Sequence, residues 1–78
     1  MKTKEFIDIF VEEMEIDGVE VTPETQLTSL EEWDSMGVMI AIGIASERFD
    51  VTLTSKDMKD LTTVRSLMNK IGKEHFED

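Results

Sequence analysis

The chain has 78 residues, enough for one small domain, and carries 18 Asp and Glu against 8 Lys and Arg, a formal net charge of −10. That charge repels nucleic-acid phosphates and anionic membrane surfaces, and favours partners with basic patches. Apolar residues make up 40% of the chain, enough for a core, and the absence of cysteine excludes a disulfide framework and thioester chemistry on a thiol of the chain itself.

Phe6, Ile7, Ile9, Phe10, Val11 and Met14 recur at helical spacing and predict a first helix over residues 3–14, with Gly18 ending that region. The charges scattered through MKTKEFIDIFVEEME do not suit a signal peptide. Residues 15–34 then read as a long loop. Pro23 and the Thr-rich run VTPETQLTSLEE favour turns and short helical pieces, and Leu27, Leu30 and Trp33 are expected to pin the loop to the core. A loop of this length in a small domain points to function.

Asp34 and Ser35 are both good N-cap residues, and MGVMIAIGIASERF after them predicts a second helix to Arg48 or Phe49. Gly37 and Gly43 weaken it by propensity. The longest apolar stretch, residues 36–45, is too short to span a bilayer. DVTLT is a linker, Ser55 starts a short helix through Leu61, and Asp57 sits in its first turn. Thr62 or Thr63 caps the last helix, whose buried stripe is Val64, Leu67, Met68 and Ile71; Gly72 falls near its end and residues 73–78 are expected to fray. The fold class that follows is all-α: a small four-helix bundle of three main helices and one short one, with a long loop between helices 1 and 2.

The second helix holds more apolar residues than one stripe needs. Met36, Met39, Ile42, Ala45 and Phe49 form one core-facing stripe, which leaves Val38, Ile40 and Ile44 as an exposed apolar cluster and a candidate partner interface. The competing reading buries Ile40 and Ile44 under the long loop or the short helix.

No catalytic constellation is present. His75 is the one histidine and lies near the end of the chain, there is no Gly-rich phosphate loop, and the chain reads as a non-enzyme without a metal site. The acidic residues Glu12, Glu13, Glu15, Asp17 and Glu20 match no calcium-loop spacing and read as a solvated face.

The distinctive local feature is Glu31-Glu32-Trp33-Asp34-Ser35-Met36, which puts a serine where a long loop meets an apolar helix. Loops lie on the surface, and a helix N-terminus favours an attached phosphate. By local spacing alone, Ser35 reads equally as a plain N-cap. Asp34-Ser35-Met36 is, however, similar to the Asp-Ser-Leu motif of acyl and peptidyl carrier proteins. The resemblance covers nearly the whole chain, since VTPETQLTSL, the apolar helix ending in Glu47-Arg48-Phe49, VTLTSKDMKDL and TTVRSLMNKI also fall in family order. It implies a single carrier domain over residues 1–78, with a 4'-phosphopantetheine arm transferred from coenzyme A to Ser35 and Asp34 and Met36 as the recognised flanks. The implied partners are a phosphopantetheinyl transferase and the enzymes that load and use the acyl cargo. A monomeric cytoplasmic protein is expected. The alternatives are an aminoacyl or peptidyl carrier, and an interaction module without the prosthetic group.

Two positions differ from carriers of fatty-acid synthesis as the resemblance presents them. Glu32 stands where glycine is common three residues before the serine, and residues 36–46 hold no charge where acidic residues usually meet basic partners. Both differences point to a specialised carrier, of a secondary-metabolite, modified-lipid or surface-polysaccharide pathway.

Overall fold

The computed structural model describes residues 1–77, and among them there are three α-helices and no strand. Helix α1 spans Thr3–Met14, α2 spans Ser35–Phe49 and α3 spans Val64–Ile71, with short 3₁₀ turns at Leu27–Ser29 and Lys73–His75. The small all-α bundle expected from the sequence is therefore present, with one change in its parts.

That change concerns the short helix. Residues 55–60 form consecutive turns, held by bonds from Asp57 N to Thr54 O, Met58 N to Ser55 O and Lys59 N to Lys56 O at 3.0–3.3 Å. A segment this short gains too few hydrogen bonds to repay helix nucleation. Burial of Leu53, Met58 and Leu61 holds it in place instead.

Helix α1 delivers the large side chains of the core, Phe6, Phe10 and Met14. It stops earlier than Gly18, because Glu15 adopts the left-handed conformation (φ 56°) and Ile16 N bonds back to Val11 O at 3.0 Å. A left-handed non-glycine residue costs about 1–2 kcal/mol, and the recovered carbonyl bond and the burial of Ile16 offset it.

The long loop is pinned as anticipated. Leu27 and Leu30 are buried, and Trp33 is half-buried with its ring 6.4 Å from that of Phe10. It is also tied to the start of α3: Leu27 N donates to Thr62 O at 2.8 Å, Val64 N to Thr25 O at 3.0 Å and Arg65 N to Pro23 O at 2.8 Å. Thr63 caps α3, its hydroxyl accepting from Ser66 N at 3.2 Å.

The C-terminal segment does not fray over residues 73–77. Glu77 N donates to Met1 O at 2.9 Å, Thr3 N donates to Glu77 O at 3.2 Å, and Phe76 packs its ring 5.2 Å from both Phe6 and Phe49. Aromatic burial at Phe76 is what turns a polar tail into a docked one. Asp78, the last residue of the expected fraying segment, lies outside the described residues.

The Asp57 carboxylate accepts from Thr54 N at 2.9 Å and from Thr54 Oγ1 at 3.2 Å. These bonds, the backbone one foremost, hold its pKa below the ordinary 3.8. A depressed carboxylate pKa stabilises the fold above the unfolded value, and that contribution is lost as pH falls through the lower folded value. The Thr54 amide proton shift should therefore titrate with a midpoint below 3.8. A midpoint at or above that value would contradict these bonds.

Candidate functional site

The start of α2 is set by Asp34. Its backbone is extended (φ −121°, ψ −164°), its carboxylate accepts from Gly37 N at 2.9 Å, and its carbonyl accepts from Val38 N at 2.9 Å. Of the two cap candidates, Asp34 takes the role. Ser35 becomes the first residue of the helix, and it is exposed. Its hydroxyl makes no hydrogen bond among the described residues, so the oxygen is free for chemistry. Met36 is 71% exposed.

The approach to Ser35 is tight. Asp34 N donates to Glu32 O at 3.0 Å, so the chain doubles back just before the helix. The Glu32 carbonyl lies against Gly37, where an added Cβ would overlap that oxygen. Sequence reading marked Gly37 only as a weak helix former. The available signal was a glycine in the first turn of a helix, which indicates close backbone approach.

Helix α2 is rotated relative to expectation. Its buried residues are Gly37, Ala41, Ile44 and Ala45. Ile44 is a core residue at 4% exposure and cannot serve as partner interface, while Met36 and Met39, assigned above to the core stripe, are exposed at 71% and 64%. Val38 and Ile40 are half-buried. Size explains the rotation: small residues at steps of three or four let α2 approach the bulky Phe6, Phe10 and Met14 of α1, and Met36 and Met39 would not fit there.

Two grooves flank the exposed methionines. One, about 420 Å³, is lined by Ser35, Val38, Met39, Ser55, Met58 and Lys59. The other, about 370 Å³, runs along α2 past Met36, Met39, Ile40 and Gly43 to Glu47. His75 lies far along the chain from Ser35 and packs its ring 5.4 Å from Phe49.

An exposed, unbonded serine hydroxyl at a helix N-terminus beside an apolar groove fits a covalently attached phosphate-bearing arm. The family model described as "phosphopantetheine attachment site" matches residues 4–71. The chain belongs to that family. It is a phosphopantetheine-carrying carrier domain, and 4'-phosphopantetheine is its covalent group. Carrier domains of this kind are not catalytic; they meet a phosphopantetheinyl transferase and partner enzymes. No curated protein and no solved structure matched the chain. No helix among the described residues is long and apolar enough to cross a membrane.

The contact between Gly37 and the Glu32 carbonyl predicts opposite outcomes for the two glycines of α2. Gly37→Ala should destabilise the carrier by about 1–3 kcal/mol, because backbone must move. At Gly43 an added Cβ finds only ordinary contact with the Glu47 side chain, so Gly43→Ala should stabilise by up to ~1 kcal/mol. Denaturant unfolding of the two variants checks both signs, and equal effects would contradict the contact.

Proposed function

We propose that this chain is an acyl carrier protein that holds its cargo as a thioester on a phosphopantetheine arm attached at Ser35. The observation that carries the reading is the free, exposed Ser35 hydroxyl beside a cap supplied by its neighbour Asp34. Because Asp34 satisfies the Gly37 N–H, Ser35 can be esterified without uncapping α2. The chain has no cysteine, so the thiol that bears the cargo belongs to the arm. Asp34 and Met36 are both exposed, as flanks recognised by the transferase need to be.

The chain is one carrier domain and acts as a monomeric cytoplasmic non-enzyme in this reading. Loading and consuming enzymes meet it along α2, at Met36 and Met39 with the half-buried Val38 and Ile40 beside them. The exposed thioethers adapt to an apolar partner surface. The acidic residues elsewhere speed encounter with a basic enzyme. The uncharged run 36–46 supports a specialised pathway over housekeeping fatty-acid synthesis.

Intact-mass measurement after incubation with coenzyme A and a broad-specificity transferase tests the attachment. Wild type should gain one phosphopantetheine mass and Ser35→Ala none. A wild type that stays unmodified would leave an interaction module without the group, and a modified Ser35→Ala would move the site elsewhere. Loading by an adenylating enzyme with an amino acid, but with no acyl group, would instead favour the aminoacyl carrier.

A further inference from the structure

Cations are scarce in this chain, eight against 18 acids, and some are already committed. Arg65 reaches Glu24 at 2.9 Å and Lys70 reaches Asp60 at 3.6 Å. Lys59 is exposed and, like several other cations of the chain, has no ion pair among the described residues. It also lines the groove that begins at Ser35, whose remaining walls are Val38, Met39, Ser55 and Met58. Turn bonds hold its backbone there, with Lys59 N on Lys56 O at 3.3 Å and the neighbouring Met58 buried.

We propose that Lys59 is a positioning residue for the arm: its ammonium group attracts the phosphodiester formed on Ser35 and lays the pantetheine chain along the Val38–Met39–Met58 groove. This rests on Ser35 being the attachment site. Charge gives the direction. Glu31, Glu32 and Asp34 precede Ser35 in sequence, and their charges repel the phosphodiester. Lys59 is the one cation among the residues that line the groove with Ser35. The apolar walls then suit the methyl-bearing pantoyl part of the arm better than open water does. The turn segment 54–61 thus supplies one wall of the groove together with its charge.

The test uses the holo protein, loaded from coenzyme A with isotope-labelled pantetheine and verified by intact mass. Wild type should show nuclear Overhauser contacts from the pantoyl methyls to the side chains of Val38, Met39 and Met58. Its phosphorus resonance should shift with added salt as the Lys59 attraction is screened. Lys59→Gln should load equally, melt like wild type, lose most of those contacts and lose the salt dependence. Lys56→Gln, a neighbouring cation outside the groove lining, should change neither. A loaded wild type without groove contacts, or a Lys59→Gln protein that keeps them, would overturn the inference and leave the attachment at Ser35 standing. A chain that takes no load overturns the attachment, and the role of Lys59 with it.

Discussion

The Glu32 carbonyl resting on Gly37, with Asp34 capping the same turn, is the constraint on which the rest of the site depends. A loop that doubles back on a helix must meet it where no Cβ stands. That requirement fixes where α2 begins. Once it begins at Ser35, the capping burden falls on Asp34, and the serine oxygen is left facing solvent without a partner. The same contact sets the rotation of α2. Gly37 must face inward, so Ala41, Ile44 and Ala45 follow it inward at helical spacing, and Met36 and Met39 turn out.

The core around this arrangement is divided by size. α1 contributes aromatic and thioether bulk, α2 contributes Ile44 and the small residues Gly37, Ala41 and Ala45, and Phe49 and Phe76 close the far end against Phe6. The docking of residues 76 and 77 onto the first residues joins the two ends of the described chain. The result is a far end tied by ring contacts and backbone bonds, and a site end made of loop and turn.

The helices of the bundle were legible in the sequence wherever one face was much more apolar than the other. Phe6, Phe10 and Met14, and again Val64, Leu67, Met68 and Ile71, mark α1 and α3 by period alone. α2 was legible as a helix but not in its rotation, because it is apolar nearly all round and periodicity gives no direction. The deciding cue, a stripe of small residues starting at Gly37, is a packing signal that only a known neighbour makes readable. The segment 55–61 misled because Ser55 and Asp57 are good helix-start chemistry, while length decided against a helix. The docked tail was missed because it depends on the single ring of Phe76 finding Phe6 and Phe49, contacts far apart in sequence. At the candidate site, the motif pointed to Ser35 and the structure adds that its hydroxyl is exposed and unbonded, while the close approach at Gly37 and the groove that Lys59 lines depend on the loop path, which carried no sequence signal.

Charge and shape then work at different ranges. In the proposed reading, the net charge of −10 would favour the approach of a basic enzyme, and the uncharged face of α2 is what such an enzyme would meet at contact. Both would be idle if the start of α2 did not hold Ser35 outward, and the cap at Asp34 is the part of that claim most open to direct attack. The rate of phosphopantetheine transfer to Asp34→Asn beside Asp34→Ala measures it, because asparagine caps a helix about as well as aspartate, whereas alanine forfeits about 0.5–2 kcal/mol of cap stability. The account predicts that the asparagine variant is modified several-fold faster than the alanine one; equal rates for the two would show that capping does not position Ser35.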